Sequence, residues 1–455
     1  LVGSEMCIRD SGYTPRDAVA SILQNNLYGL DIDDRAAQLA YFAVMMKAVR
    51  YDKRFLKRKD EDGEPDVPQP HVYAIEESNR IEKPDVEYFC NGKLELNDAM
   101  HTILTQLYDA KEYGSILTIT PQDWDALYAR FDEVTGESSF HRESIRKKLL
   151  PLVRVAQTLA QKYDVVVTNP PYMGSSGMGA KLAEYVKKNY PDSKSDLFAV
   201  FIEVCSRMAK QNGYQAMITQ HAWMFLSSFE KLREKMMLTE TISMAHLGAR
   251  AFEEIGGEVV QTTAFVRCAN HVEGYKGTYC RLIEPTSQQG KEEMFLAGQK
   301  RYTANQDDFA KIPGASVAYW VSKKLYSTFR NSLLYDYTIS DGQNKTGDNA
   351  KFVREFWEVR NSNVGKGKKW LFYAKGGGYR KWYGNLSEVV NWSEEAREFY
   401  KNDKICRIIP EYLWYKAGIT WSLISNNPSF RLLPEEATFD VGGSSIFLKD
   451  NSNIE

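Results

Sequence analysis

The sequence predicts an α/β fold built on a doubly wound parallel sheet, with an α+β domain behind it. Three observations lead there. Short apolar strands alternate with amphipathic helices over residues 14–46 and again over 164–266, the pattern of βα units laid into a parallel sheet. The 455 residues exceed one domain, at roughly 150 residues each. From about Tyr275 the texture changes, with short strands and clustered Gly, Lys and aromatic residues.

Thr14-Pro15 opens a helix, with Pro at the first helical position. Leu27–Ile32 reads as a short buried strand, and Asp33 or Asp34 caps the following helix through Ala36, Leu39, Ala40, Ala43 and Val44. Residues 50–161 are charged and irregular, with Lys53–Gln69 an exposed loop and helices around Leu94–Ala110 and Arg142–Leu159. This stretch reads as a mostly helical insertion on the surface of the core. Asp164–Thr168 is then a buried apolar strand, Asp196–Ala209 an amphipathic helix, and Tyr214–Thr219 a strand. Phe229–Met237 is a helix, Ile242–Leu247 a strand, and Val260–Arg267 an added strand at the sheet edge. The expected domains are 12–275, with the insertion at about 50–160, and 276–455.

Composition excludes several classes. Hydrophobic residues at 43% and charged residues at 26% exclude a disordered or collagen-like chain. Lys+Arg 58 against Asp+Glu 60 leaves −2, which excludes a uniformly basic nucleic-acid binder but allows a local basic patch. No run approaches the ~18 apolar residues of a membrane span. Cys7, Cys90, Cys205, Cys268, Cys280 and Cys406 are scattered with no C-x-x-C pair, so neither a disulfide framework nor a metal site is expected, and a reducing cytoplasm is the expected location. Leu1–Ser11 lacks both periodicity and a signal-peptide pattern. It resembles translated adapter read-through. Asp450–Glu455 ends without a terminating element, so the chain is expected to be an internal stretch of a longer protein.

The chemistry is concentrated in Asn169-Pro170-Pro171-Tyr172, which follows the strand Asp164–Thr168. Ligands of open α/β sheets bind beyond the carboxyl ends of strands. Two consecutive prolines stiffen the turn and aim the Asn169 side-chain oxygen and a backbone carbonyl at one point. Those acceptors could take both hydrogens of a planar exocyclic amine. The nitrogen lone pair is then drawn out of the ring and made nucleophilic without a strong base. Tyr172 is placed to stack on the ring. A bare tetrapeptide of this kind also occurs as a plain tight turn. The preceding apolar strand and the following Gly174–Gly179 loop, read as a flexible lip, favour the functional reading.

With these residues the chain resembles the class I, S-adenosylmethionine-dependent, adenine-specific DNA methyltransferases. The resemblance implies a Rossmann-like catalytic domain and gives Asn169, Pro170, Pro171 and Tyr172 the catalytic roles. It makes Asp31, with Ile32 beside it, the cofactor-binding strand end, where a carboxylate accepts the ribose hydroxyls. It places Asp196 and Phe198 against the cofactor or base, and Phe252, in the hairpin region Ala249–Phe265, on the extruded base. Tyr113-Gly114-Ser115-Ile116 resembles a weaker cofactor-adenine contact. The family's glycine-rich first motif is not found in the chain.

Residues 361–385 contain no acid and interleave aromatic residues with Lys366, Lys368, Lys369, Lys375, Arg380 and Lys381. Basic side chains neutralise phosphates, and Gly376-Gly377-Gly378 would let the backbone come close. This is the expected contact with double-stranded DNA. Segments such as Thr346–Phe352, Lys381–Asn385 and Phe439–Ser445 extend the resemblance to the PglX-type enzymes of BREX phage-defence systems and the related type IIG restriction-modification enzymes, over nearly all of 12–455. It implies a target-recognition domain, methylation of adenine N6 for self-marking, and other phage-defence proteins as partners. The alternatives are a non-catalytic DNA-recognition subunit with a decayed methyltransferase core, or a methyltransferase acting on RNA or a protein glutamine.

Overall fold

The computed structural model describes residues 12–136, 141–252, 260–329, 331–425 and 427–449. Leu1–Ser11 and Asp450–Glu455 lie outside the described residues. The chain forms two compact units, Leu1–Tyr326 and Ser327–Glu455.

In the first unit the Thr14 hydroxyl caps the helix Pro15–Ser21 through the Asp17 amide, with Pro15 in the opening turn. Strand β1 (Tyr28–Asp31) follows. Asp33 then caps the helix Asp34–Tyr51 by accepting from the Arg35 and Ala36 amides, satisfying two of the donors left free at a helix start. An unanticipated strand, β2 (His71–Ala74), pairs parallel with β1 from Tyr28↔His71 to Asp31↔Ala74. Residues 50–161 are therefore more than a surface insertion. They add this strand, and the helices Lys83–Cys90, Leu94–Gln106, Trp124–Gly136 and Leu150–Ala160 enclose a core of Phe89, Met100, Ile103, Leu127 and Val153.

Strands β3 (Tyr163–Thr168), β4 (Ala209–Gln220), β5 (Glu240–Gly248), β6 (Thr262–Cys268), β7 (Gly277–Arg281) and β8 (Arg301–Ala304) form one mixed sheet in the order β3-β4-β6-β5-β7-β8. β3 and β4 are parallel, as are β5 and β7; β6 runs antiparallel to both β4 and β5. Alternation sorts the side chains. Met217, Met244, Phe265 and Tyr279 face a core shared with Phe198, Ile202 and Trp223. Their neighbours Ala216, Ile218, Ala245, Ala264 and Val266 line a cavity of about 640 Å³ on the other face.

Three expectations change. β6 is not at the sheet edge: it is bonded along its length to β4 and β5, because its alternate residues fit the core face. β3 is not buried on both sides: it is an edge strand, with Val165 55% and Val167 72% exposed. An apolar run reports suitability for burial, not the presence of a neighbour. The break between units falls after Tyr326 rather than at 275, since β7 and β8 are hydrogen-bonded into the first unit's sheet.

The second unit carries two four-stranded sheets. Its strands are β9 (Thr338–Ile339), β10 (Val353–Glu355), β11 (Trp370–Ala374), β12 (Glu388–Asn391), β13 (Gly418–Trp421), β14 (Phe430–Leu433), β15 (Ala437–Phe439) and β16 (Ser445–Leu448). One sheet runs β10-β12-β11-β15 and the other β14-β13-β16-β9. The helix Glu394–Asn402 contributes Tyr400 to a core with Phe352, Leu371, Trp392 and Cys406.

Candidate functional site

β3, β4, β5 and β7 all run in one direction, so their carboxyl ends share an edge. The Asn169–Tyr172 corner leaves β3 there. Asn169 and Pro171 are exposed, Pro170 is buried and Tyr172 is half-buried. The Asn169 Oδ1 lies 3.4 Å from the Tyr172 hydroxyl, which also lies 3.4 Å from the Ile218 carbonyl. Contacts that long hold weakly, so Oδ1 can exchange its partner for a stronger donor. The Pro170 carbonyl accepts no backbone hydrogen bond from the described residues. Burial pushes the Tyr172 phenol up to about 12, so it stays neutral at pH 7.

The corner is pinned from behind. Asp196 caps the helix Leu197–Met208 through the Phe198 amide and accepts from the Met173 amide at 3.0 Å. The Ser175 amide donates to the Ser195 carbonyl, and the Leu197 amide to the Met173 carbonyl. Gly174–Gly179 is thus tied down at its start rather than a flexible lip, with a turn at Ser175–Gly177. Burial raises the Asp196 carboxyl against three backbone hydrogen bonds that lower it. Phe198 does not line an open pocket. It is buried, and its ring meets Tyr172 edge-on at 6.3 Å, so it braces that ring.

Asp31 is exposed at the end of β1, where its Oδ1 accepts from the Asp33 amide at 2.9 Å. Ile32 beside it is exposed and leans on Gly114: a Cβ there would meet its Cδ1 at 3.2 Å. Gly114 has φ +61° and ψ −145°, a combination open essentially to glycine alone. Ser115 follows. Between β1 and β3 runs a cavity of about 230 Å³ lined by Gly29, Leu30, Ser115, Val167, Thr168 and Phe201. A carboxylate, an apolar plate and a groove suit the nucleoside half of S-adenosylmethionine. Nothing found in this chain supplies the glycine-rich loop that the resemblance implies for its methionine half.

Sequence reasoning missed a chain of rings on the same edge. His221 follows β4, and its Nδ1 lies 2.8 Å from His246 Nε2; His246 Nδ1 lies 3.1 Å from the Tyr319 hydroxyl. Burial, and then His221, pull the His246 imidazole down to about 3, and burial lowers His221. A histidine with a depressed folded pKa contributes stability above about pH 6.5 that is lost as pH falls toward 3. Acidification from pH 6.5 to 4 should therefore destabilise the first unit by up to about 1.4 kcal/mol per pH unit. His246→Gln should flatten that slope in chemical denaturation across the same range; an unchanged slope would refute the assignment. No sequence signal marks either histidine beyond its place at a strand end.

Phe252 is half-buried, and residues 253–259 of its hairpin region lie outside the described residues. In the second unit Lys366, Lys368, Lys369, Arg380 and Lys381 are exposed. Lys375 is not available in the same way: half-buried, its Nζ pairs with Glu388 at 3.0 Å. One of the three glycines also differs from expectation. Gly376 (φ +84°) approaches the protein's own backbone, since a Cβ would lie 2.4 Å from the Gly442 carbonyl.

Residues 25–250 match the Eco57I restriction-modification methylase family. The adenine-specific methyltransferase PglX of Lacticaseibacillus casei (strain Zhang) is 39% identical over 479 residues, 98% of this chain and 39% of that protein. The adenine-specific methyltransferase BrxX of Escherichia coli O9:H4 (strain HS) is 36% identical over 467 residues, again 98% of this chain and 39% of the relative. The stretch 25–250 belongs to this methylase family. The family match takes in β1 through β5, and with them Asp31, Asn169–Tyr172 and Asp196; Phe252 and the basic stretch lie beyond it. The chain spans 39% of the length of each relative. Among solved structures, the ATP-dependent Type ISP restriction-modification enzyme LlaBIII bound to DNA aligns over 99% of this chain and 31% of its own, at 11% identity and a TM-score of 0.47. Among the described residues no helix is long and apolar enough to cross a membrane, and no cluster of His, Cys, Asp or Glu could hold a metal ion.

Proposed function

We propose that the parent protein is a site-specific DNA adenine-N6 methyltransferase that marks host DNA in phage defence. In this reading the first unit carries a Rossmann-like catalytic sheet and the second a target-recognition domain. The proline-held acceptor pair at the end of β3 carries it: Asn169 is exposed, and among the described residues neither its Oδ1 nor the Pro170 carbonyl has a strong competing donor. The names of the two relatives support adenine as the target.

A flipped adenine, extruded at a cost of a few kcal/mol, would lie on Tyr172 with Phe198 bracing that ring. Asn169 and Pro170 would accept its two amino hydrogens and pyramidalise the nitrogen. Phe252, which follows β5, would pack on the base. Asp31 would hold the ribose hydroxyls of S-adenosylmethionine, with Ile32 and Ser115 beside its adenine; bound there, the cofactor supplies the methyl carbon. Asp196 acts through the Met173 amide, fixing the loop behind the corner. Lys366, Lys368, Lys369, Arg380 and Lys381 would meet the DNA phosphates, and other phage-defence proteins are proposed partners in the cytoplasm.

The test is to sequence modified bases in host DNA with and without the gene. A single motif carrying N6-methyladenine only when the gene is present is expected. Its absence would discard the assignment and leave a recognition subunit or a different substrate. On the purified full-length protein, Asp31→Ala should weaken S-adenosylmethionine binding at least about tenfold in calorimetry, the loss of two charge-assisted hydrogen bonds at roughly 1.5–3 kcal/mol each being only partly offset by water. Unchanged affinity would remove Asp31 from the cofactor site.

A further inference from the structure

The second unit presents an unusual aromatic loop. Tyr379, Trp382 and Tyr383 are all exposed, Trp382 by 71%. Large aromatic rings are seldom offered to water together without a partner. Phe430 and Leu432, on the outer face of β14, are exposed beside them.

The loop is also held stiffly. Trp382 has φ +74°, a region that bulky L-residues rarely enter. Its backbone is locked there by pairing with β14: the Trp382 amide donates to the Phe430 carbonyl and the Leu432 amide to the Trp382 carbonyl, each at 3.0 Å. Gly384 (φ +115°) and Asn385 (φ +61°) turn the chain back, and Asn385 Nδ2 donates to the Gly378 carbonyl at 2.8 Å. A strained residue held in place by its surroundings points to use of the side chain it displays.

The charges around the loop indicate what it meets. Lys381 Nζ stands 4.9 Å from the Trp382 ring centre, and Arg380 is exposed next to it. Beneath lies Arg431, only 2% exposed. Its guanidinium donates to Ser429 Oγ at 3.0 Å and Ser422 Oγ at 3.2 Å, and reaches the Arg380 carbonyl at 3.5 Å. Its Nε has no partner, and no carboxylate among the described residues pairs with it. A buried cation lacking an anion is costly, and an anion arriving over this loop would relieve it. Aromatic rings flanked by unpaired cations match stacked bases flanked by phosphates.

We infer that the loop Tyr379–Tyr383 is a rigid wedge that inserts Trp382 between stacked base pairs of DNA, with Arg380, Lys381 and the buried Arg431 drawing phosphates over it. The inference rests on the DNA-binding reading above and adds that the second unit deforms the duplex instead of only following its backbone.

The test uses the full-length protein and closed-circular plasmid DNA relaxed by a type I topoisomerase in its presence. Inserted side chains unstack and unwind the duplex, so wild-type protein should leave a lowered linking number after deproteinisation. Trp382→Ala should lose most of that shift at concentrations where plasmid binding, read by gel retardation, is complete. Its affinity should fall about tenfold with an unchanged salt slope. Lys381→Ala should keep the linking shift and lower the salt slope by about one. Trp382→Phe, which retains a stacking ring at the same backbone position, should restore most of the shift and guards against misfolding. An equal shift from Trp382→Ala and wild type would overturn the wedge while leaving DNA binding intact. Failure of the wild-type protein to retard plasmid at all would overturn the DNA reading itself. Loss of a co-purifying protein from Trp382→Ala, with the linking shift intact, would make the patch a protein contact and overturn the wedge as well.

Discussion

Asn169→Ala in the full-length protein should lower the proposed methylation rate by roughly a hundredfold to a thousandfold, the scale seen when one preorganised polar group facing a developing charge is removed, and leave duplex affinity within about twofold. The asymmetry follows from position. Asn169 Oδ1 is exposed at the strand end and its one described partner, the Tyr172 hydroxyl, is 3.4 Å away. It does little for the fold, and one amide cannot dominate a phosphate-driven affinity. Its proposed work is confined to the moment when the amino nitrogen takes on positive character. Single-turnover transfer of labelled methyl groups, beside gel retardation of the same duplex, separates the two effects. Wild-type turnover from Asn169→Ala would end the proposed mechanism, and an equal loss of DNA binding would mean that the residue acts on the fold.

Arg267→Met should cost the first unit about 3–5 kcal/mol, because several buried oxygens lose their donor at roughly 1–3 kcal/mol each. This corresponds to a fall of roughly 4–7 °C in Tm for a unit of this size. Arg267 lies in β6, fully enclosed, and burial pulls its guanidinium down to about 10. It bonds the Thr239 hydroxyl at 2.7 Å and the Thr239 carbonyl at 3.0 Å, and also reaches Thr241 and the Met236 carbonyl. Those groups end the helix Glu230–Met236 and open β5, so one side chain ties the helix-to-strand connection to the centre of the sheet. Met fills similar space with no donors, leaving several buried oxygens unpaired. Denaturant titration of the two proteins measures the difference; a change below about 1 kcal/mol would mean that water substitutes for the guanidinium.

These two residues also divide what could be read in advance. Asn169 announces itself through its neighbours in sequence: an apolar strand, two prolines and an aromatic ring specify a stiff corner whatever lies around it. The Thr14-Pro15 helix start and the Asp33 cap were equally legible, because capping is settled within four residues. Arg267 offered no such signal. It reads as a polar strand end, and only the placement of β6 between β4 and β5 encloses it. The His221–His246–Tyr319 chain joins residues 25 and 73 positions apart, which no local pattern can connect. The same holds for Trp382, whose exposure is a property of the strand it pairs with.

The sequence alone located β1, β3, β5, β6 and most of β4 with the helices between them, and determined where the acceptor corner turns and that 361–385 is basic and aromatic. It did so because periodicity, capping and proline geometry act over a few residues. Only the tertiary structure decided the order of strands, the openness of β3, the union of β7 and β8 with the first unit, and which charged groups are buried. Those depend on pairing between distant segments, and a strand's side-chain alternation is the same whether one neighbour, two, or none is hydrogen-bonded beside it.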